Sequence, residues 1–322
     1  MKTIAVLTSG GDAPGMNACL RAVVRTALHH GLEIQGVMRG YEGLMEADFI
    51  PLDAKAVSNI IHRGGTMLKT ARSQAFLKEE GQKLAAAQLA KQKIDGLIVI
   101  GGDGTFRGAL ALGKFSGVKI IGCPGTIDND LHGTDFTIGY DTAINTVVDA
   151  VDKIRDTAES HERLFFVEVM GRDAGLIAMR SGIGAGAEAI LIPESPTHID
   201  DLVRRLEGGR KNKSSKIVIV SEHEAAGGAF AVAEQVKQKL PYYDTRVTIL
   251  GHIQRGGNPS CMDRVNASRM GFAAVEALLA GHSGEMIGII DKEVCYTPFA
   301  NAVKHIEELD RNLLRMMEIL SL

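Results

Sequence analysis

The sequence predicts an α/β protein with mostly parallel sheets in a three-layer α/β/α arrangement. Short apolar segments alternate with segments of helical periodicity along the chain, which is the pattern of parallel strands joined by right-handed crossovers. The chain also contains 37 glycines, and glycine-rich turns directly follow several of the apolar segments. Such turns are typical of places where a strand leads into a helix.

The predicted strands are apolar runs, as expected for strands buried on both faces of a sheet. They span residues 4–8, 33–38, 94–100, 118–123, 164–170, 189–192, 217–220, 245–250 and 286–290. The predicted helices repeat apolar residues every three or four positions. They span residues 17–29, 56–62, 78–93, 106–115, 140–160, 200–207, 231–239, 263–280 and 301–320, and a further helix ends at residue 182.

Size and composition limit the possible partners. With 322 residues the chain is long enough for two domains. Its formal net charge of −3 gives no electrostatic reason to expect nucleic acid or a membrane surface as a partner. The four cysteines form no C-x-x-C pair, and no apolar run reaches the ~18–20 residues of a membrane helix. We therefore expect a soluble, cytoplasmic protein with reduced thiols.

Five glycine- or charge-rich loops lie at the ends of predicted strands. They span residues 9–15, 101–105, 124–130, 171–175 and 251–257. They share the chemistry of phosphate binding, because backbone N–H groups can cradle a phosphate, arginines can bind it, and aspartates can hold the magnesium ion that neutralises it. Neither a G-x-x-x-x-G-K-[ST] loop nor the protein-kinase motif set is present, so neither of those kinase folds is expected.

The loop at residues 124–130 is the most informative of the five. It follows an apolar run, so it should leave the carboxyl end of a strand, where ligands collect in open α/β sheets. Asp128 and Asp130 lie two residues apart with the Thr126 hydroxyl just before them, a set suited to removing a proton beside a bound metal ion. A plain Asp/Asn turn is the alternative, and the similar upstream loop at 101–105 weighs against it.

Together, the five loops resemble a known family. TSGGDAPGMNA near the start, IGGDGT at 100–105, PGTIDND at 124–130, MGRDAG at 170–175 and LGHIQRGG at 250–257 are similar to the motifs of bacterial ATP-dependent 6-phosphofructokinases. The match keeps their order and spacing over essentially the whole chain. It implies two Rossmann-like α/β domains. The larger, ATP-binding domain would span 1–138 plus 251–301, and the smaller, sugar-phosphate-binding domain would span 139–250 plus 302–322.

The resemblance implies transfer of a phosphoryl group from MgATP to the 1-hydroxyl of fructose 6-phosphate, the committed step of glycolysis, which gives fructose 1,6-bisphosphate and ADP. Asp128 would be the general base, Thr126 would hydrogen-bond the transferring phosphoryl group, and Arg172 would bridge it to the sugar. Mg²⁺ on the ATP phosphates would be held by Asp103, with Asp130 as the second carboxylate.

The resemblance also implies two sets of binding residues in a homotetramer with shared active sites. The ATP-binding residues would be Gly11, Tyr41, Arg72, Ser73, Gly102, Asp103, Gly104 and Thr105. The substrate-binding residues would be Thr126, Ile127, Asp128, Arg163, Met170, Gly171, Arg172, Glu222, Arg246, His252, Ile253, Gln254 and Arg255. Arg163 and Arg246 would reach in from a neighbouring subunit. Taken singly, each arginine could form a surface ion pair instead, and His252 could be a structural histidine.

Two glycines, Gly104 and Gly125, indicate whether ATP or pyrophosphate is the phosphoryl donor. Relatives that use pyrophosphate carry Asp at the position of Gly104 and Lys at that of Gly125. An Asp at 104 would crowd and repel the α-phosphate of ATP, and a lysine at 125 would fill the space near that group. Two glycines leave room for the nucleotide, so ATP is the expected donor.

The family has an effector site between subunits, where ADP activates and phosphoenolpyruvate inhibits. The matching positions here are Arg21, Arg25, Arg155, Gly186, Ala187, Glu188, Lys211, Lys213, Ser214 and Ser215. Relatives have a Gly-Lys-Lys-His run where this chain has residues 212–215. Loss of one cation should weaken effector binding by about 1–3 kcal/mol, so allosteric control is expected to be attenuated. A second departure, Ser73-Gln74-Ala75, affects the adenine side of the ATP site.

Two other interpretations remain open at this stage. Another enzyme with a GGDGT loop, such as an NAD kinase, would leave the loops at 124–130 and 251–257 unexplained. A non-enzymatic nucleotide sensor on the same fold would be expected to have lost part of the catalytic set, yet Asp103, Thr126, Asp128, Asp130 and Arg172 are all present.

Overall fold

The computed structural model describes residues 1–161, 163–195, 197–208, 215–303 and 311–320. The chain divides into two compact units, one made of Met1–Thr142 and Arg255–His305 and the other of Ala143–Gln254 and Ile306–Leu322. Each unit is therefore assembled from two separate stretches of chain. The assignment of ATP to the first unit and of sugar phosphate to the second, with the domain limits given above, stays a prediction.

Strands and helices alternate along most of the chain. The strands are β1 (Thr3–Thr8), β2 (Glu33–Val37), β3 (Phe49–Pro51), β4 (Gly96–Gly101), β5 (Lys119–Pro124), β6 (Arg163–Val169), β7 (Ala189–Leu191), β8 (Lys216–Ser221), β9 (Asp244–Ile249), β10 (Glu285–Ile290) and β11 (Glu293–Pro298). The helices are α1 (Met16–His29), α2 (Gly40–Met45), α3 (Glu79–Lys91), α4 (Asp103–Gly113), α5 (Tyr140–Glu159), α6 (Leu176–Gly184), α7 (Ile199–Gly208), α8 (Gly228–Lys239), α9 (Cys261–Ala280) and α10 (Arg311–Leu320), and a 3₁₀ helix spans Gly251–Arg255.

The first unit is built around a seven-stranded sheet with the order β11-β10-β5-β4-β1-β2-β3. The five central strands are parallel, and the edge strands β3 and β11 run antiparallel to their neighbours. Every residue of β1 and β4 is buried, which explains their unbroken apolar sequences. Because β2 and β4 lie on opposite sides of β1, the connections diverge there, and ligands of open α/β sheets bind at the carboxyl ends of such strands.

The second unit contains a four-stranded sheet with the order β7-β8-β6-β9, in which all neighbours are parallel. Strand residues such as Phe166 and Val218 form its core together with Leu206 of α7 and Val232 of α8. The predicted α/β class with mostly parallel sheets is thus confirmed. Among the described residues, no helix is both long and apolar enough to cross a lipid bilayer.

Several elements differ from the prediction. Residues 56–62 form turns rather than a helix, because Asn59 has a φ of 57°, which an α-helix cannot contain. Helix α2 and strands β3 and β11 were not predicted. Within the described chain the last helix begins at Arg311; residues 301–303 are not helical, and residues 304–310 of the predicted helix lie outside the described residues.

Candidate active site

Three of the predicted loops meet at the carboxyl edge of the seven-stranded sheet. The loops after β1, β4 and β5 leave neighbouring parallel strands. The Thr105 hydroxyl donates a hydrogen bond to the Ser9 carbonyl at 3.1 Å, and the Gly125 amide donates to the Gly101 carbonyl at 2.9 Å. The three loops therefore lie side by side.

The loop after β5 carries two buried carboxylates. Asp128 is 2% exposed and Asp130 is 6% exposed. The Asp128 amide donates to the Thr126 hydroxyl oxygen at 3.2 Å. Between the two aspartates, Asn129 has a φ of 53°, in the left-handed region that asparagine tolerates better than most residues. One short turn thus presents the hydroxyl and both carboxylates.

This turn is fastened to a segment that follows it in the chain. The Thr137 amide donates to Asn129 Oδ1 at 2.7 Å, and the Thr137 hydroxyl donates to the Thr126 carbonyl at 2.6 Å. The Ile138 amide donates to the Pro124 carbonyl at 2.8 Å. Because Thr137 and Ile138 are buried, water competes little for these bonds.

The loop after β4 places Asp103 at the first position of α4. Its carboxylate pairs with the Arg107 guanidinium, one helical turn later, at 3.0 Å. A Cβ added at Gly102 would lie 3.6 Å from the Thr126 Cβ, so this loop touches the loop after β5. At Gly104, apart from its two chain neighbours and the backbone of its own helix, no described residue has an atom within 4 Å of the Cβ position. The loop is therefore closed toward its neighbour and open at Gly104.

Tyr41 supports the same loop from inside the fold. The side chain is buried, its hydroxyl donates to the Thr105 carbonyl at 2.6 Å, and its ring stacks on Phe76 with ring centres 4.0 Å apart. Burial raises the pKa of the Tyr41 hydroxyl, so it remains protonated and can donate. Thr105 is buried as well. The structure thus uses both side chains mainly to hold the loop, a supporting function that the sequence analysis did not assign to them.

The departure at residues 73–75 lies directly before the stacked ring. Arg72 is exposed, and the Ser73 hydroxyl accepts a hydrogen bond from the Phe76 amide at 3.1 Å. Ser73 therefore fixes the turn that carries Phe76.

Arg255 covers the turn after β1. Its Nη1 donates to the Asp12 carbonyl at 3.2 Å. A Cβ at Gly11 would lie 2.3 Å from Nη1, so a side chain at Gly11 would displace the guanidinium. The structure places Arg255, predicted to bind sugar phosphate, directly on Gly11, predicted to line the nucleotide phosphates.

In the second unit, the loops after β6 and β8 are joined at the carboxyl edge of the four-stranded sheet. The Arg172 amide donates to Glu222 Oε1 at 2.9 Å, and His223 Nδ1 lies 2.9 Å from Asp173 Oδ1. Gly171 and Arg172 both have positive φ, of 137° and 53°. The structure therefore brings together Arg172 and Glu222, two residues that the sequence analysis placed in one site.

Several predicted substrate-binding side chains are buried. Gln254 is fully buried; its Oε1 accepts from the Met170 amide at 3.2 Å, and its Nε2 donates to the Gly251 carbonyl at 3.0 Å. The Ile127 side chain is also fully buried. These positions can offer a substrate little beyond backbone groups, whereas His252 and Ile253 are exposed.

Arg163 and Arg246 lie away from the carboxyl edge of the four-stranded sheet that leads to Arg172, and Arg246 pairs with Phe165 of β6. Arg163 is the first residue of β6, and both arginines bind the Asp244 carboxylate, at 2.8 Å and 3.0 Å respectively. The hydrogen bond from Arg163 lowers the pKa of Asp244. Strand β6 has seven residues, so at ~3.3 Å per residue its two ends lie about 20 Å apart. Within one chain Arg163 is thus separated from Arg172 by the length of this strand.

Comparisons with known proteins agree with the motifs. The phosphofructokinase family model matches residues 3–278. The chain belongs to the phosphofructokinase family.

Curated members of the family match the chain from end to end. The chain is 53% identical to "ATP-dependent 6-phosphofructokinase 2" of Bacteroides thetaiotaomicron, covering 100% of this chain and 99% of that one. It is also 53% identical to "ATP-dependent 6-phosphofructokinase 1" of Thermus thermophilus, with both chains fully covered.

Solved phosphofructokinase structures share the fold. The Saccharomyces cerevisiae phosphofructokinase matches with a TM-score of 0.88 and 36% identity, covering 100% of this chain and 48% of the yeast chain. A pyrophosphate-dependent phosphofructokinase from Marinobacter aquaeolei matches with a TM-score of 0.85 and 23% identity, covering 99% and 91% of the two chains. This second likeness shows the fold alone.

The positions that match the family's effector site are only partly described. In the second unit, the Arg155 guanidinium donates to the carbonyls of Ala185 and Gly186, so the loop at 185–188 and this arginine are neighbours. Glu188 Oε2 accepts from the Ile217 amide at 2.5 Å.

The remaining effector positions lie elsewhere or are buried. Arg21 and Arg25 lie on α1 in the first unit, where burial, and secondarily Arg25, lower the pKa of Arg21. Ala187 and Ser215 are buried, and the effector role of both positions stays a prediction. Lys211, Lys213 and Ser214 lie outside the described residues.

Sequence reasoning missed the residues that hold the site together. Asn129 and Thr137 fix the turn after β5, and Gln254, which was predicted only to bind substrate, fixes the backbone at Met170. The one signal available was Asn129 itself, because an asparagine between two aspartates can take the left-handed conformation found here.

Proposed function

We propose that the protein transfers the γ-phosphoryl group of ATP to the 1-hydroxyl of fructose 6-phosphate, giving fructose 1,6-bisphosphate and ADP, the committed step of glycolysis. The observation that carries the proposal is the meeting of the GGDGT loop with the turn holding Asp128 and Asp130. Curated relatives about 53% identical over the full length are named ATP-dependent 6-phosphofructokinases.

Asp128 is the proposed general base. It lies in a buried turn together with Thr126, and exclusion of water strengthens the electrostatic interactions of such a group. Removal of the 1-hydroxyl proton by Asp128 lets the sugar oxygen attack the phosphoryl group, which Thr126 and Arg172 bind. Phosphoryl transfer requires little further chemistry from the protein beyond positioning and charge stabilisation.

Asp103 and Asp130 are proposed to hold Mg²⁺. The described residues contain no group of three or more acidic, His or Cys side chains that could hold a metal ion. Two carboxylates with phosphate and water oxygens suit Mg²⁺, which commonly takes only one or two protein carboxylates. Bound there, the ion would neutralise phosphate charge. Because Arg107 pairs with Asp103, we expect that ion pair to loosen when MgATP binds.

ATP rather than pyrophosphate is the proposed donor. In the described part of the chain, no atom beyond the adjacent residues and the helix backbone lies within 4 Å of a Cβ at Gly104, which leaves room for a nucleotide at that position. Gly125 differs from the expectation of open space, since a Cβ there would lie 2.9 Å from the Met16 methyl and 3.3 Å from Ile100 Cγ2. A lysine at 125 would therefore also have to displace Met16. Faster turnover with pyrophosphate than with ATP would contradict this proposal.

Fructose 6-phosphate is proposed to bind between copies of the chain. Arg163 lies about 20 Å of strand away from the end of β6 that leads to Arg172, and Arg246 pairs with Phe165, about 13 Å of strand from that end. This separation supports the proposal that both arginines serve a site of a neighbouring subunit. Charge-assisted bonds of about 1.5–3 kcal/mol each, from these arginines, His252 and Arg255, favour a sugar phosphate over a free sugar. The shared sites imply a homotetramer, located in the cytoplasm with its substrates.

Control by ADP and phosphoenolpyruvate is proposed in attenuated form. Arg155 beside the 185–188 loop supports an anion site there, whereas serines replace the family's Lys and His at positions 214 and 215. Inhibition by phosphoenolpyruvate as strong as in relatives with the full Gly-Lys-Lys-His run, measured by initial velocities, would contradict the attenuation.

One experiment tests the central proposal. The protein is mixed with MgATP and fructose 6-phosphate, and fructose 1,6-bisphosphate is followed in wild type and in Asp128→Ser. We expect the variant to lose about 10²–10⁴-fold in kcat. No bisphosphate from wild type, or an unimpaired variant, would refute it. Phosphorylation of NAD would indicate an NAD kinase, and ATP binding without turnover a sensor.

A further inference from the structure

A buried carboxylate outside the five loops lies at the start of helix α9. Asp263 is 2% exposed and occupies the first turn of that helix. Its Oδ1 accepts from the Gly139 amide at 2.8 Å. Its Oδ2 accepts from the Thr142 amide at 2.8 Å and from the Thr142 hydroxyl at 2.5 Å. A buried carboxylate is costly unless such donors surround it, so this arrangement is demanding to maintain.

The donors to Asp263 belong to the segment that enters helix α5. Thr142 lies in the first turn of α5, and its hydroxyl oxygen also accepts from the Ser260 amide at 2.9 Å. Ser260 caps α9, since its hydroxyl oxygen accepts from the Asp263 amide at 3.1 Å. The starts of α5 and α9 are therefore tied to each other through one carboxylate and two hydroxyls.

The segment held by Asp263 is the one that fastens the turn after β5. Gly139, with a φ of 103°, follows Thr137 and Ile138 directly, and those two residues bind the turn through its Thr126 and Pro124 carbonyls. A Cβ at Gly139 would lie 2.7 Å from the Ala13 Cβ. The segment is thus packed tightly between the loop after β1 and the turn that carries Asp128.

We propose that Asp263 is a positioning residue for phosphoryl transfer, which acts by fixing residues 137–142 and through them the orientation of Asp128. The proposal rests on the proposed role of Asp128 as general base. Asp263 touches neither substrate in this scheme. Its effect is on where the base lies when the sugar hydroxyl arrives, and small displacements of a base are costly to the chemical step.

The test compares two variants that weaken the tie with two that do not. Asp263→Asn keeps the shape of the side chain but replaces one accepting oxygen by an NH₂ group, which would point at the Gly139 or Thr142 donors. Thr142→Val removes the hydroxyl that donates to Asp263. We expect each to lower kcat about tenfold or more while the KM for fructose 6-phosphate changes less than about twofold, the pattern of a lost transition-state interaction. Thr142→Ser keeps the hydroxyl and should retain kcat. Val236→Ala, a buried core truncation in the second unit, is the control for lost stability alone.

Two further measurements separate positioning from a structural role. In an Asp128→Ser background, Asp263→Asn should change the residual kcat less than about twofold, because residues acting through one group are not additive. Hydrogen–deuterium exchange of peptides covering residues 124–142 should rise in Asp263→Asn and Thr142→Val but not in Val236→Ala.

The outcomes are distinct from those that test the proposed function. If Asp263→Asn and Thr142→Val lose no more kcat than Val236→Ala at matched stability, the proposal is overturned. It is also overturned if Asp263→Asn lowers kcat as much in the Asp128→Ser background as in wild type. Faster exchange with unchanged kcat would also overturn it. If Asp263→Asn does not fold, Thr142→Val carries the same comparison. Failure of the proposed function would instead appear as absence of bisphosphate from wild type.

Discussion

Two clusters of predicted functional residues are supported in opposite ways. The first is the turn with Asp128 and Asp130, which we propose that Asp263 supports through residues 137–142, and the second is the pair Arg163 and Arg246, which binds Asp244. Asp263 is buried and accepts hydrogen bonds from neutral amide and hydroxyl groups of its own unit. The Asp244 side chain is 43% exposed and lies between the guanidiniums of Arg163 and Arg246. Burial raises the pKa of Asp263, whereas the hydrogen bond from Arg163 lowers the pKa of Asp244.

The contrast separates two kinds of site. The turn after β5 has its backbone fixed by hydrogen bonds within the first unit, so the groups proposed for phosphoryl transfer are already held by the fold. Of the arginines at Asp244, Arg246 is exposed and Arg163 is half-buried, and both lie away from the carboxyl end of β6 that leads to Arg172. We propose that the first cluster acts within its own chain and that the second serves a site of another copy.

The largest expected effect comes from changing Asp130, the carboxylate of the first cluster that is proposed to hold Mg²⁺. Asp130→Asn should lower kcat by about 10²–10³-fold, because one hydrogen-bonded charge in a buried site is worth several kcal/mol to the transition state. The Mg²⁺ concentration for half-maximal velocity should rise at the same time. Asp149→Asn, an exposed carboxylate paired with Lys153 on α5, is the matched control and should behave as wild type. Equal loss in both variants would remove Asp130 from the site.

A smaller effect is expected at the second cluster. Arg163→Ala and Arg246→Ala should each raise the KM for fructose 6-phosphate about 10–100-fold, the loss of one charge-assisted phosphate bond, with little change in kcat. Arg204→Ala, which removes an exposed arginine paired with Asp201, is the control. A kcat loss without a KM change would place both arginines in the chemical step.

Mixing variants sharpens the same comparison. Arg163→Ala and Asp128→Ser subunits, unfolded and refolded together, should form mixed assemblies in which roughly a quarter of the sites combine two intact halves. Velocity at low fructose 6-phosphate should then exceed that of either variant alone. A mixture no faster than its parents would show that the sites are not shared.

The smallest expected effect is on stability, and its sign differs between the two carboxylates. Asp263 has a raised pKa in the fold, so its contribution to the free energy of unfolding is greatest at low pH and declines as pH rises from ~3.8 through the raised value. Asp244 has a lowered pKa, so its contribution is present above ~3.8 and is lost as pH falls through the lowered value. Urea unfolding of wild type, Asp263→Asn and Asp244→Asn across pH 3–7 measures both. Parallel pH profiles for the two variants would contradict this sign difference.

Much of the fold could be predicted because buried parallel strands have unbroken apolar sequences. The runs that form β1 and β4 are examples, and each is followed by a loop of the site. Strand β11 was not predicted because its pairing with β10 depends on a two-residue turn of Asp291 and Lys292, both with positive φ. That dipeptide lacks the glycine usual in such turns. The prediction of a helix at 56–62 was wrong because Asn59 takes the left-handed conformation.

The loops of the candidate site could be predicted from the sequence, but the hydrogen bonds that hold them in place could not. Ligands of parallel α/β sheets bind at the carboxyl ends of the strands, so the loops after β1, β4 and β5 could be assigned to one site. Ser260 and Asp263 have the spacing of a helix cap, yet nothing in that spacing identifies Gly139 and Thr142, more than a hundred residues earlier in the chain, as partners. Support of this kind depends on three-dimensional packing, which a local pattern does not encode.

The distance of Arg163 and Arg246 from the carboxyl edge of their sheet also bears on how activity depends on enzyme concentration. If a fructose 6-phosphate site draws on two copies, separated subunits can keep their nucleotide loops but cannot bind the sugar phosphate fully. Specific activity should then fall on dilution. Fructose 6-phosphate should protect against that loss, because a ligand bound by two subunits at once favours their association by mass action.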